Sequence, residues 1–184
     1  IERLKSAYDI SIKITHFPLH PDTPEEGITL EELFAGRDFD IEAAKDRFAK
    51  LMTQEGLPNG DRTMTYNARL AQELASWVDS FSDKGEIHHA LFQAYFAQNI
   101  NLACIEELIQ ITGKIGLSED KAREVLETRS FREIVDSDWQ RCRELTVTGV
   151  PTFVVGNQRI NGAQSYEILE ELLVESGAVA RDCD

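Results

Sequence analysis

The segment Val147–Val155 constrains the fold of this chain more than any other. It reads Val-Thr-Gly-Val-Pro-Thr-Phe-Val-Val, so that Pro151 stands directly before a β-branched and aromatic run. Because proline has no N–H and would remove a ladder hydrogen bond from a central strand, it belongs at a strand's first residue. Gly156-Asn157 then predict a turn into a second short strand, Gln158 to Asn161. An amphipathic helix is predicted to close the chain.

Length, composition and charge exclude several classes of protein. The 184 residues can form one domain, or one domain that carries an insertion, and 42% hydrophobic with 28% charged residues is ordinary for a globular protein. No apolar run approaches the roughly 20 residues that a membrane helix needs. A net charge of −14 argues against binding to nucleic-acid backbones or to anionic membrane surfaces. We therefore expect neither nucleic acid nor membrane as a partner.

The first residues predict a helix followed by a strand. Ile1–Tyr8 resemble the end of a helix, and Ile10, Ile12 and Ile14 then alternate with polar residues. This period of two is typical of a half-buried strand. The predicted strand runs from Ile10 to Phe17 and ends before Pro18.

The long middle of the chain, from Gly27 to Leu145, predicts helices and no convincing strand. Thr29, Asp40 and Ser118 are suitable N-caps. The residues predicted for the helical core are Phe48, Leu70, Leu74, Leu91, Phe92, Leu108 and Ile109. The order of elements favours an α/β fold in which residues 1–26 and 146–184 form one domain, and residues 27–145 form a helical insertion.

Several motifs together resemble a known superfamily. They are Thr148–Phe153, Gly162–Ser165, Phe17–Leu19 after the first strand, Thr65–Ala71 at a helix start, and His89–Phe96. In order and spacing the chain resembles the DsbA-like thioredoxin superfamily. It is most similar to the FrnE-like branch, which neighbours the 2-hydroxychromene-2-carboxylate isomerases and the kappa-class glutathione transferases.

The resemblance covers essentially the whole chain and implies a thioredoxin-like fold with a large all-helical insertion. It also implies that the Val150–Pro151 peptide bond is cis, and that Thr148, Gly149, Val150 and Pro151 bind the substrate. The plainer alternative is that Pro151 merely begins an edge strand.

The chain departs from the superfamily pattern at its start. Members begin with a strand and an active-site loop that bears Cys-Pro-x-Cys, or a serine in the glutathione-using branches. Here the sequence opens in what resembles the helix after that loop. We therefore expect the first strand and the active-site loop to lie outside these 184 residues, and we assign no catalytic residue within them. Such a strand is expected to lie between the segments Ile10–Phe17 and Thr152–Val155.

The three cysteines, Cys104, Cys142 and Cys183, form no Cys-x-x-Cys motif. A sparse, odd set does not resemble a secreted disulfide framework, which favours a cytoplasmic location. Cys142 shares a helical face with apolar residues, so burial is favoured over a redox role. Cys104 stands near a helix start, but no partner thiol lies nearby in sequence. Cys183 is expected to be exposed in a polar tail.

Histidines and aromatic residues give weaker signals. His16, His20, His88 and His89 do not reproduce a metal-ligand spacing, so we expect no metal. The aromatic residues between Trp77 and Phe96 are interpreted as helical core, although some of them could line a ligand groove.

Three functions follow from the resemblance. The first is a thiol-disulfide oxidoreductase of the DsbA/FrnE-like type, without a cofactor, that acts on a protein or small-molecule thiol or disulfide. The second is a glutathione-dependent transferase or isomerase, and the third is a non-catalytic binding module. A homodimer is left open.

Overall fold

A computed structural model describes residues 1–82 and 85–181. Its elements, in chain order, are α1 (Glu2–Ala7), β1 (Ile28–Thr29), α2 (Leu30–Leu33), α3 (Ile41–Gln54), β2 (Met64–Thr65), α4 (Arg69–Asp79), α5 (Glu86–Phe96), α6 (Ile105–Lys114), α7 (Glu119–Thr128), α8 (Arg132–Glu144), β3 (Thr152–Val155), β4 (Gln158–Asn161) and α9 (Tyr166–Glu175).

The chain divides into two compact units. One, the terminal unit, consists of Ile1–Leu19 and the residues from Ser137 onward, and the other, the helical unit, is His20–Asp136. The boundaries predicted from the sequence, 26/27 and 145/146, both lie further along the chain than these.

Side-chain caps explain why several helices begin where they do. Thr29 and Glu32 form a reciprocal capping box at α2, and Asp40 accepts a hydrogen bond from the Ala43 N–H at α3. Ser118 and Ser165 cap α7 and α9 in the same way. Each of these side chains satisfies an N–H that the first helical turn leaves unpaired. The caps predicted at Thr29, Asp40 and Ser118 are confirmed.

The core of the helical unit is built by α4, α5, α6 and α7. Its largest fully buried apolar side chains are Leu74, Ile87, Leu108 and Leu126. Of the predicted core, Leu74, Leu91, Leu108 and Ile109 are buried, and Leu70 packs against them partly buried.

The prediction that Phe48 and Phe92 belong to this core is wrong. They are 39% and 60% exposed, and α3, which carries Phe48, has no buried residue. Both rings instead contact Phe96 near the surface, with centroids 5.3 Å and 6.3 Å away. Helical periodicity identifies an apolar face but does not determine whether another element covers it.

The helical unit also contains a short ladder that the sequence did not predict. β1 pairs antiparallel with β2, with Ile28 opposite Thr65 and Thr29 opposite Met64. Each strand has two residues, too few for a period-two pattern to appear in the sequence. The prediction of a purely helical insertion therefore needs this correction.

In the terminal unit, α1 and α9 pack together with β3. Leu4, Leu169 and Leu173 form the buried centre, and Phe153 and Val155 pack against it. β3 and β4 form an antiparallel hairpin in which Thr152 lies opposite Asn161 and Val155 opposite Gln158. The two strands and the closing helix predicted for this end of the chain are confirmed.

The predicted strand from Ile10 to Phe17 is wrong for this structure, because the segment forms no ladder. Ile12 and Ile14 are each 44% exposed. A strand needs a partner for its backbone N–H and C=O groups, and among the described residues β3 pairs with β4 alone. The segment is held instead by separate hydrogen bonds, including His16 N–H to Asp138 Oδ2 at 3.0 Å. A strand between this segment and β3 stays a prediction.

A buried carboxylate ties three parts of the helical unit together. Glu73 of α4 is fully buried, and its oxygens accept hydrogen bonds from Arg69 at 2.7 Å and from Arg129 at 2.7 and 2.8 Å. Arg69 also donates to the Arg132 carbonyl, at the start of α8, and to Asp136. Burial by itself raises the pKa of Glu73, but the hydrogen bonds from Arg129 and Arg69 outweigh burial and hold the pKa below its ordinary 4.5.

We expect Glu73→Gln to lower the free energy of unfolding by about 3 kcal/mol, because it removes the one negative charge that both arginines share in a buried position. Urea denaturation followed by circular dichroism measures this. Glu106→Gln is the matched control, since Glu106 makes a similar two-bond pair with Arg123 at 2.7 and 2.8 Å, but on the exposed surface. The control should leave the denaturation midpoint essentially unchanged, and equal losses in the two variants would contradict the role of burial.

The stabilisation that Glu73 provides should depend on pH. Because the folded-state pKa of Glu73 lies below 4.5, its ionised form stabilises the fold fully above pH 4.5, and this stabilisation is lost as the pH falls through the folded-state value. The stability difference between wild type and Glu73→Gln should therefore be constant above that pH and shrink below it. A difference that grew on acidification would show the sign to be wrong.

Candidate functional site

The loop between α8 and β3 contains the four residues predicted to bind substrate. It begins where α8 ends. The Thr146 N–H donates to the Arg143 carbonyl and the Val147 N–H to the Cys142 carbonyl, both at 2.9 Å. This pair of bonds is a Schellman motif, with Thr146 in the left-handed region at φ 52°.

Arg159 of β4 reinforces this helix end. Its guanidinium donates to the Leu145 carbonyl and, at 3.0 Å, to the Thr146 hydroxyl oxygen. Leu145 supplies one of the carbonyls that an α-helix leaves without an intrahelical partner. A cation is favourable at that position because the C-terminal end of the helix dipole is negative.

The other end of the loop is fixed by β3 and the residue after β4. The Thr152 hydroxyl donates to the Gly149 carbonyl at 2.7 Å and also lies 3.1 Å from Asn161 Oδ1. The Gly162 N–H donates to the Pro151 carbonyl at 2.8 Å. The Val150–Pro151 peptide bond is cis. The loop is thus held on both sides by the hairpin that follows it.

Between these anchors the chain presents unused backbone groups. Val150 is 51% exposed, and within the part of the chain that the structure describes neither its N–H nor its carbonyl has a hydrogen-bond partner. Thr148 and Pro151 are exposed, and Gly149 is half-buried. Such a loop can pair with an extended chain through its backbone. The substrate-binding role of the four residues stays a prediction.

Cys142 is buried on α8 and is not placed for thiol chemistry. Its Sγ donates to the His16 carbonyl at 3.4 Å, and one helical turn earlier Asp138 Oδ2 accepts a hydrogen bond from the His16 N–H at 3.0 Å. Burial raises the pKa of the Cys142 thiol, and the carboxylate of Asp138 raises it further, although Arg141 and Arg143 oppose this. The contacts of Cys142 and Asp138 with His16 are structural, because they hold the segment before Pro18 against α8.

Cys104 is an exposed free thiol at the N-cap position of α6, where its side chain makes no capping hydrogen bond. Cys183 lies outside the described residues. The two described cysteines therefore form no dithiol.

The other sequence candidates are dispersed. His88 lies 2.8 Å from Asp79 and is buried, and the described residues contain no group of three side chains that could hold a metal ion. Of the aromatic residues, Trp77 and Tyr95 pack against the helical core, whereas Phe81 and Phe92 are exposed. The ligand-groove interpretation of these aromatics is not tested by this arrangement.

Sequence reasoning missed Arg159 and Thr146. Neither belongs to a motif, and Thr is an unusual choice for a left-handed position, which favours Gly or Asn. The available signal was weak: a lone basic residue in a strand of four residues beside the loop.

Comparison with known proteins identifies the family. The model of the DSBA-like thioredoxin domain matches residues 1–174, and the chain belongs to that family. The fold, a thioredoxin-like domain with a helical insertion, follows from this match together with similar solved structures.

Two solved structures are similar to this chain in fold. The crystal structure of a probable DsbA oxidoreductase from Streptomyces coelicolor is similar to this chain with a TM-score of 0.76 and 22% sequence identity. The superposition covers 86% of this chain and 71% of the Streptomyces chain. A 2-hydroxychromene-2-carboxylate isomerase has a TM-score of 0.64 and 19% identity, with 73% and 66% covered. Both likenesses concern the fold alone.

A relative in sequence is the uncharacterized protein YwbO of Bacillus subtilis, 27% identical over 105 residues. The match covers 56% of this chain and 52% of YwbO, so the chain spans about half the length of that relative. Separately, no helix in the described ranges is long and apolar enough to cross a membrane.

The cysteine geometry predicts a large difference in thiol reactivity. In a Cys183→Ser background, exposed Cys104 should react rapidly with Ellman's reagent, and Cys142 should react on the order of 100-fold more slowly, because its thiolate is disfavoured and reagent must await local opening. Stopped-flow absorbance with and without urea measures the two rates. Two equal fast phases in the native protein would contradict the burial of Cys142.

Proposed function

We propose that this chain is part of a thiol-disulfide oxidoreductase of the DsbA/FrnE-like type, in which Thr148, Gly149, Val150 and Pro151 position the substrate. The observation that carries the proposal is that Val150 is exposed and that, among the described residues, its N–H and carbonyl have no hydrogen-bond partner, whereas the Gly149 and Pro151 carbonyls are bonded to the hairpin. An extended substrate would pair with Val150 as an added strand does.

The reacting sulfurs would come from a cysteine pair outside these 184 residues. A cysteine at a helix N-terminus ionises readily, attacks one sulfur of the substrate disulfide and forms a mixed disulfide, which the second cysteine resolves. The substrate is reduced to two thiols, and the pair is oxidised to a disulfide. The sparse, odd set of three cysteines without a Cys-x-x-Cys motif supports a cytoplasmic location within the same proposal.

Whether the reacting sulfurs belong to Cys104, Cys142 or Cys183 can be tested by replacing all three of these cysteines. In the full-length natural protein we expect the variant Cys104→Ser, Cys142→Ala, Cys183→Ser to retain insulin reduction within about twofold, since none of these thiols takes part. The 184-residue polypeptide assayed in parallel should show no turnover. Insulin reduction by the 184-residue polypeptide would contradict the proposal. Loss of insulin reduction in the full-length triple variant, with an unchanged circular dichroism spectrum, would contradict it as well.

The substrate contact has its own readout in the amide of Val150. When the full-length protein, ¹⁵N-labelled, is saturated with a short extended peptide disulfide, the Val150 amide should shift and exchange at least about tenfold more slowly, because it gains an acceptor. The Gly162 amide is the internal control, since it already donates to the Pro151 carbonyl. A Val150 amide that does not respond would exclude backbone pairing at this loop.

A glutathione-dependent transferase or isomerase is the second candidate, and the fold likeness to the 2-hydroxychromene-2-carboxylate isomerase favours it. In that case glutathione would occupy the same loop. Isothermal titration of the full-length protein with reduced glutathione separates the two: micromolar binding without insulin reduction supports the second candidate. Neither binding nor reduction would support a non-catalytic binding module.

A further inference from the structure

Arg159 joins the hairpin to the start of the candidate substrate loop. Its backbone is fixed in the β3–β4 ladder, where it lies opposite Val154. Its guanidinium reaches the last turn of α8 and donates to the Leu145 carbonyl and the Thr146 hydroxyl oxygen. A rigid strand is thereby coupled to the helix end from which the loop departs.

The backbone that Arg159 holds would not be adopted easily without support. Thr146 has φ 52°, and a β-branched residue in the left-handed region is disfavoured. Residues in such conformations persist only where their surroundings impose them, and they concentrate at functional sites. Arg159 binds at this position through the carbonyl of the preceding residue, Leu145, and the side chain of Thr146 itself.

The direction of the loop depends on this anchor. Val147 continues from Thr146 with its N–H bonded to Cys142, and the next fixed carbonyl is that of Gly149, bonded to the Thr152 hydroxyl. Only Thr148 separates Val147 from Gly149, so the anchored backbone at Thr146 and the hairpin contact of Gly149 together set the path into Val150. Both hydrogen bonds come from a single guanidinium nitrogen, Nη1, which the planar guanidinium holds in a fixed orientation between the two acceptors.

We propose that Arg159 is a positioning residue for substrate binding: by holding the α8 terminus it orients the Val150 backbone toward the substrate chain. This inference rests on the proposed function of the loop. It assigns Arg159 no contact with the reacting sulfurs.

The test compares Arg159→Ala and Arg159→Lys in the full-length protein. Arg143→Ala is the matched control, because that exposed arginine bonds to Gln140 on its own helix rather than to the loop. In Arg159→Ala the Thr146 and Val147 amides should exchange at least about tenfold faster, since their bonds lose support. The KM for a peptide disulfide should rise about tenfold with little change in kcat, because binding rather than chemistry is affected.

Arg159→Lys should recover part of the loss, since the lysine ammonium keeps the positive charge and can donate to both acceptors, but its flexible stem does not fix the nitrogen between them. Arg143→Ala should match wild type in both measurements. Unchanged exchange in Arg159→Ala would refute the anchor itself, whatever the activity. Faster exchange with an unchanged KM would reduce Arg159 to a structural contact and overturn the proposal.

The proposed oxidoreductase function and the positioning role of Arg159 are refuted by different results. If the wild-type full-length protein reduces no disulfide, the proposed function is refuted, and the substrate role of Arg159 with it, even if the exchange data establish the anchor. If wild type is active and only the KM effect is missing, the function stands and the role of Arg159 does not.

Discussion

Helix α8 carries the hydrogen bonds on which the candidate site depends. Its C-terminal carbonyls cannot be satisfied within the helix, and a chain must bond such groups elsewhere. Here the Val147 and Thr146 N–H groups and the Arg159 guanidinium do so together. Because the same helix also holds His16 through Asp138 and Cys142, the position of the loop is set by several bonds rather than one.

The loop itself shows a division between satisfied and unused polar groups. The Gly149 and Pro151 carbonyls are bonded to the hairpin, whereas the N–H and carbonyl of Val150 point to no partner among the described residues. Leaving the N–H and the carbonyl of one exposed residue without a partner costs little where water can reach them, and it keeps both groups available for an extended chain. Arg159 and Thr152 thereby support a site that neither of them enters.

Charge has different uses in the two units. In the helical unit, fully buried Glu73 is stabilised by two arginines, and its contacts fix the corner between α7 and α8. In the terminal unit, Arg159 faces a helix end rather than a carboxylate.

The sequence alone determined the caps at Thr29, Asp40 and Ser118 and the hairpin after Pro151, because each depends on residues close together in the chain. It also determined the family, through the order and spacing of motifs along the whole chain. It did not determine which apolar faces are covered, so Phe48 and Phe92 were assigned wrongly to the core. Nor could the sequence determine whether Ile10–Phe17 forms a strand. Its apolar and polar residues alternate as in a strand, but among the described residues its backbone has no ladder partner. Only the tertiary structure brought Arg159 to the end of α8, because that contact joins residues 13 and 14 positions apart through a hairpin and leaves no periodic pattern.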